Sequence, residues 1–250
     1  MIMKGMEQQG LSEEEARRRF YVLDKDGLLG VSPARRRSLD VQQQEFMRTD
    51  LPDGMPLHDL AEAINPTVIL GISTVGGLFD ERLIRGMAAK VDRPIIFPLS
   101  NPTAKAECTF ADAFEWTDGR VIFASGSPFE PFEANGQRHI PSQCNNMFIF
   151  PGLGLGASVA GCTKITDRTL YDISIALAQA PTAEERSRGQ IFPSVSRIRE
   201  VSDQIAAAAI DSARGEGLTT KIDPNSTQEA MEFLNKRTYY PGYVSLGISQ

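Results

Sequence analysis

Pro94-Ile-Ile-Phe-Pro-Leu-Ser100-Asn101-Pro102-Thr103 decides the fold class: an Ile-rich apolar run ends abruptly in a turn tipped with small polar groups. The pattern recurs downstream, where Val121-Ile-Phe-Ala runs into Ser125-Gly-Ser127-Pro128-Phe129. A third instance is reversed, with Asn145-Asn146 just ahead of Met147-Phe-Ile-Phe-Pro151 and a glycine-rich apolar stretch. Short β-rich runs that deliver polar turns at their carboxyl ends are what an open parallel sheet uses to hold a ligand.

Helical patterns alternate with these runs. Ser12-x-x-Glu15 is a capping box opening a helix to about Arg19. Phe20-Tyr-Val-Leu23 is expected as a buried strand ending at Asp24-Lys-Asp-Gly27, and residues 30–55 as mostly loop. Leu57 to Ile64 is expected as a helix closed by Asn65-Pro66, Thr67 to Gly71 as a strand, and Ser73-Thr-Val-Gly76-Gly77 as a turn. A helix from Asp80 to Lys90 with Asp80 as its N-cap, the strand 94–99, a helix over 109–117 and the strand 121–124 follow. Strand and helix at these spacings suit right-handed crossovers, so the sheet is parallel. From 147 to 214 the pattern is helical, with breaks near Cys162 to Thr166 and Pro181 to Pro193; beyond Leu218 it reads as an extended arm.

With 250 residues, 41% hydrophobic and 23% charged, the chain can bury a proper core. A formal net charge of −6 argues against a general nucleic-acid binder, and Arg35-Arg36-Arg37 is a local exception expected in a solvated loop. Cys108, Cys144 and Cys162 have no metal-ligand spacing and fit a reduced compartment. No run approaches the roughly 18 apolar residues of a membrane span. No signal or transit pattern opens the chain, so a cytoplasmic location is expected, or the mitochondrial matrix if a segment precedes Met1.

Asp24 lies where a dinucleotide fold places the acid that accepts from the adenosine ribose hydroxyls, though an Asx-turn before Gly27 explains it equally. Gly152-x-Gly154-x-x-Ala157 matches a bare phosphate-turn pattern, with Asp172 downstream, but Asp172 falls within a helical stretch. Those glycines are better read as letting two helices, or a helix and the sheet, approach closely. Asn101 and Asn145 can donate to a carboxylate and accept from a hydroxyl, which suits a small hydroxy acid; each is also an ordinary turn residue. His58 and His139 have no partner arrangement that marks a base, and no acidic cluster marks a metal site.

Taken together, Val22-Leu-Asp24-Lys-Asp-Gly-Leu28, Ile95-Ile-Phe-Pro-Leu-Ser-Asn101-Pro-Thr-Ala-Lys-Ala-Glu-Cys108, Phe123-Ala-Ser-Gly-Ser-Pro-Phe129 and Asn145-Asn-Met-Phe-Ile-Phe-Pro-Gly152 resemble the C-terminal part of a malic enzyme. Such enzymes oxidatively decarboxylate L-malate to pyruvate and CO₂ with NAD or NADP and Mg²⁺ or Mn²⁺. The resemblance implies an α/β fold: an incomplete Rossmann-type parallel sheet flanked by helices, then a helical segment and an extended C-terminal arm. It divides the chain into an NAD(P)-binding domain over 1–144, a helical return to the substrate domain over 145–217 and the arm over 218–250. It implies that Asn101 and Asn145 contact malate, with Asn101 also near the nicotinamide. Asp24, with Lys25 beside it, would hold the ribose, and Gly71, Ser73, Thr74, Val75 and Gly76 would line the cofactor.

The family's tyrosine acid, lysine base, substrate arginine, acidic metal ligands and glycine fingerprint match nothing here. The chain is therefore expected to be a truncated or split malic enzyme, without catalytic residues or metal ligands of its own and inactive alone. The alternative is a non-catalytic nucleotide-binding or subunit-interaction fragment. Asp24 disfavours a 2′-phosphate, so the expectation leans to NAD; Lys25 and Arg35 to Arg37 can offset that repulsion, which keeps NADP open. Oligomers are expected of the full-length family, and neither nucleic acid nor membrane is expected as a partner.

Overall fold

The computed structural model describes residues 2–34, 39–134 and 136–221, with isolated positions at 229, 232–234 and 236. The Arg35 to Arg37 cluster and nearly all of the expected arm therefore lie outside the described residues.

The described residues form two compact units, one comprising the chain up to Asn146 with Ala178–Arg197, the other Met147–Leu177 with Ile198 onward. The first unit begins with helices α1 (Ile2–Gln8) and α2 (Glu13–Arg18). Ser12 caps α2, its hydroxyl accepting the Glu15 amide while the Glu15 carboxylate accepts the Ser12 amide. Such a cap is worth about 1 kcal/mol.

The expected strand at Phe20 to Leu23 is shorter and differently paired. β1 (Leu23–Asp24) runs antiparallel to β2 (Gly27–Leu28), and residues 20–23 are only half-buried. Its turn forces the hairpin: the Asp24 carboxylate accepts the Asp26 amide, and Gly27 adopts φ +89°. A Cβ on Gly27 would come within 2.3 Å of the Gly54 carbonyl oxygen, so only glycine fits there.

A short helix α3 (Val41–Gln44), capped by Asp40, interrupts the loop that follows. Helix α4 (Leu57–Ile64) stops at Asn65, whose φ of 50° is the left-handed cap that Asn tolerates. The sheet is then built from β3 (Val68–Gly71), β4 (Ile95–Pro98), β5 (Ile122–Ser125) and β8 (Ser142–Gln143), all parallel and adjacent in that order. Helix α5 (Glu81–Ala88), capped by Asp80, links β3 to β4, and α6 (Phe110–Trp116), capped by Thr109, links β4 to β5. These helices bury Leu83, Ile84, Phe110 and Phe114 against Ile96 and Phe123 of the sheet. Each such side chain taken from water contributes about 1.5–3 kcal/mol, and this apolar face holds the unit together.

Two features have no counterpart in the sequence expectation. A hairpin, β6 (Phe132–Ala134) with β7 (Gln137–His139), closes over the aromatic core, and β8 adds a fourth parallel strand. Beyond the second unit's α7 (Phe150–Ala160) and α8 (Asp167–Gln179), a small helix α9 (Ala183–Ser187) lies within the Pro181 to Pro193 break. It belongs to the first unit. Glu185 there accepts the Thr182 and Ser194 amides and pairs with Arg197 at 2.7 Å. The Ser142 hydroxyl accepts the Ile191 amide at 2.7 Å, which ties this segment to β8.

In the second unit α7 packs against the long α10 (Ile198–Gly215). The apolar run Met147 to Pro151 enters α7, with Pro151 in its first turn, and does not form a strand. Gly152 and Gly156 lie under α10: a Cβ on either would reach the Ser202 or Ala206 carbonyl oxygen at 2.5 and 2.6 Å. Asp172 is inside α8 and pairs with Arg168 at 2.8 Å.

Candidate functional site

The turns after β3, β4 and β5 meet at one edge of the sheet because the ladder continues past each strand. The Leu99 amide donates to the Gly71 carbonyl at 2.8 Å, Gly126 to Pro98 at 3.2 Å and Cys144 to Ser125 at 2.8 Å. Gly71 is the buried last residue of β3. Ser73, Thr74, Val75 and Gly76 form the exposed turn beyond it, with Ile72 80% and Val75 53% exposed. Asn101 is exposed after β4, and Asn145 is half-buried two residues beyond β8.

A buried carboxylate organises these turns. Glu107 is fully buried. It accepts the Ser73 amide at 2.9 Å, the Ser73 hydroxyl at 2.7 Å and the Ser100 hydroxyl at 2.6 Å, with the Ser100 amide at 3.5 Å. Burial pushes its carboxyl upward, but the bonds from Ser100 and Ser73 outweigh that and hold it below its ordinary value. Gly71 makes the approach possible, since a Cβ there would come within 2.4 Å of the Glu107 carboxyl carbon. The Ser100 hydroxyl in turn accepts the Thr74 amide at 2.8 Å, and Thr74 stands at φ +60°, a conformation that a β-branched residue rarely adopts.

Asn101 is oriented from the opposite side. The Ser127 hydroxyl donates to Asn101 Oδ1, leaving the amide Nδ2 to donate to a ligand. Gly126 permits this closeness: a Cβ would stand 2.2 Å from the Leu99 carbonyl oxygen and 3.0 Å from Asn101 Nδ2. The Ser125 to Phe129 turn thus serves as scaffolding for Asn101.

Asp24 and Lys25 are on the separate β1–β2 hairpin, outside the parallel sheet. The Asx bond from Asp26 occupies one carboxylate oxygen of Asp24, and Lys25 pairs with Asp26 at 3.2 Å. Glu107 lies inside the 95–108 stretch that carries the resemblance, but no residue pattern marks it as a site; its one signal is an acid between Ala106 and Cys108, small residues that both proved buried. Burial pushes the Cys108 thiol up, which favours its protonated form. Among the described residues no group of three or more His, Cys, Asp or Glu side chains could hold a metal ion. None of the described helices is long and apolar enough to cross a membrane.

A parallel sheet with such turns at its carboxyl ends is a nucleotide-binding arrangement, and the family model for the malic enzyme NAD-binding domain matches residues 1–214. The chain belongs to the malic enzyme family. It is 40% identical over 243 residues to an NADP-dependent malic enzyme of Dictyostelium discoideum, covering 97% of this chain and 44% of that one. It is 36% identical over 249 residues to the mitochondrial NAD-dependent malic enzyme 2 of Arabidopsis thaliana, covering 95% and 40%. Among solved structures the Entamoeba histolytica malic enzyme shares the fold at a TM-score of 0.65 and 22% identity, over 86% of this chain and 41% of that one. The chain thus spans less than half the length of these relatives.

Proposed function

We propose that this chain supplies the nicotinamide-nucleotide side of a malate-decarboxylating oxidoreductase. The observation that carries the reading is the joined set of turns after β3, β4 and β5, in a chain whose family model is an NAD-binding domain. The exposed Ile72 and Val75 offer apolar surface to a planar ring, and the Ser73 to Gly76 backbone offers polar groups beside it. A bound nicotinamide nucleotide would supply the hydride acceptor for oxidation of the hydroxy acid, with the Ser73 to Gly76 turn holding it. Asn101, its amide held by Ser127, donates to the substrate carboxylate or hydroxyl, and Asn145 approaches from the end of β8. Asp24 takes the ribose hydroxyls, with NAD favoured over NADP because the carboxylate repels a 2′-phosphate. Malate and pyruvate are the substrate pair, and full-length relatives of this kind are read as oligomers. The described residues do not fit a metal site, so no step is assigned to one.

Proton transfer is not assigned to this chain either, because Glu107, the buried carboxylate in the cluster, is already engaged by Ser73 and Ser100. Binding of NAD⁺ or NADP⁺ by the purified chain, without reduction on adding L-malate and Mn²⁺, is the expected outcome. Ligand-observed NMR and absorbance at 340 nm check the two halves. Turnover at an ordinary enzyme rate, or no contact with either nucleotide at millimolar concentration, overturns the reading.

A further inference from the structure

We propose that Glu107 is the positioning residue of the nucleotide site: a buried carboxylate that locks the turn after β3 and the turn after β4 into a single unit. The inference rests on the nucleotide reading above. Its geometry is independent of it.

Four donors from two separate turns reach one carboxylate: the amides and hydroxyls of Ser73 and Ser100. Among the described residues no cationic side chain pairs with it, so these dipoles alone compensate a fully buried charge. Scaffolding has no need of such a charge, because a packed apolar residue in its place costs less than a buried anion. What the anion adds is direction. It orients the Ser73 hydroxyl, which then accepts the Val75 amide at 3.1 Å, and the Ser100 hydroxyl, which accepts the Thr74 amide. Thr74, at φ +60°, is therefore fixed from the neighbouring turn, and Asn101 directly follows the residue that fixes it. Two further backbone bonds, Gly77 to Ala106 at 3.2 Å and Phe79 to Glu107 at 2.9 Å, hold Glu107 in register with the first turn. Displacing the carboxylate should loosen both turns together.

The test compares the 250-residue chain with its Glu107→Gln and Glu107→Asp variants by hydrogen exchange at the amides of 73–77 and 100–101. Helix 57–64 serves as the internal reference. Gln keeps the reach and loses the charge; Asp keeps the charge and withdraws it by about 1.5 Å, one carbon–carbon bond. Both should accelerate exchange about tenfold at the two turns in step, Gln because charge-assisted bonds are roughly twice as strong as neutral ones and Asp because the withdrawn carboxylate no longer reaches both turns. Unchanged exchange, or a response in one turn only, overturns the proposal. If both variants also loosen 57–64, Ser73→Ala decides. Loss of that hydroxyl should speed exchange at the Ser100 amide, which donates to the Glu107 carboxylate itself, and an unaffected Ser100 refutes the link.

NAD⁺ and NADP⁺ titrations by ligand-observed NMR separate this inference from the reading beneath it. Nucleotide affinity weakened about tenfold in Gln and Asp supports both. Unchanged affinity with unchanged exchange overturns the role of Glu107 alone. Coupled exchange with no wild-type binding removes the nucleotide reading and leaves the link between the turns.

Discussion

The glycines of α7 allow the sharpest discrimination between a phosphate-binding turn and a packing surface. A Cβ on Gly156 would meet the Ala206 carbonyl oxygen at 2.6 Å and its Cα at 3.1 Å, and one on Gly152 would meet the Ser202 carbonyl oxygen at 2.5 Å. Both obstacles include backbone of α10, which cannot rotate away, so α7 and α10 must separate and loosen Val159, Ala160, Ala206 and Ile210. Overpacking of this kind costs about 1–3 kcal/mol, offset by about 1 kcal/mol of helix propensity gained on replacing Gly with Ala. A Cβ on Gly154, by contrast, meets nothing within 4 Å, so only the propensity gain remains. Gly156→Ala should therefore destabilise by up to about 2 kcal/mol and Gly154→Ala should stabilise by about 0.5–1 kcal/mol. Urea unfolding followed by circular dichroism reads the helices, while fluorescence of the single tryptophan, Trp116 in α6, reads the other unit separately. A Gly154→Ala variant that loses stability like Gly156→Ala, or keeps its fold and loses nucleotide affinity, would falsify the packing account.

Thr74→Gly should raise the urea midpoint of the Trp116 transition by the equivalent of about 0.5–1 kcal/mol, because glycine relieves the left-handed strain at φ +60° while adding unfolded-state entropy; a lower midpoint would mean that the Thr74 side chain itself holds the turn. Glu107 predicts an acid limb. Its folded carboxyl lies below the ordinary value of 4.5, so its stabilisation is fully present above that pH and is lost as pH falls through the lower folded value. The Trp116 transition should weaken below about pH 4.5, and less steeply in Glu107→Gln; equal acid slopes in the two proteins would remove Glu107 as the cause.

What the sequence made legible was local. Ser12 with Glu15, Asp80, Thr109 and the Asn65-Pro66 stop each fix a helix end through bonds or dihedrals within a few residues, and those ends fall where the pattern places them. The strands at 68–71, 95–98 and 122–125 announce themselves by composition, being rich in Ile, Val and Phe. Ser142–Gln143 could not: it has no strand-forming pattern and is a strand only because Ala124 and Ser125 pair with it. Phe20 to Leu23 erred the other way, since its apolar composition suits a buried strand but the Asp24 to Gly27 turn folds the chain back after two paired residues. Glu107 is the extreme case. Its partner Ser73 lies 34 residues away, and nothing local distinguishes it from a solvated acid.

The fate of the titratable groups bears on what this chain can do. In the first unit His58 lies 3.0 Å from both Asp80 oxygens and lowers that carboxyl, fastening α4 to the cap of α5. His139 packs on the Phe114 ring at 4.6 Å, and Cys108 is held protonated by burial. Glu107 is held ionised by donors it cannot release without opening two turns. Each of these side chains makes a structural contact within the first unit. Asn101, Asn145, Ser73 and the backbone amides at this sheet edge are hydrogen-bonding groups that do not titrate. On the proposed function, then, this sheet edge holds and orients the nucleotide and the hydroxy acid, and Glu107, already engaged by Ser73 and Ser100, is not assigned the proton.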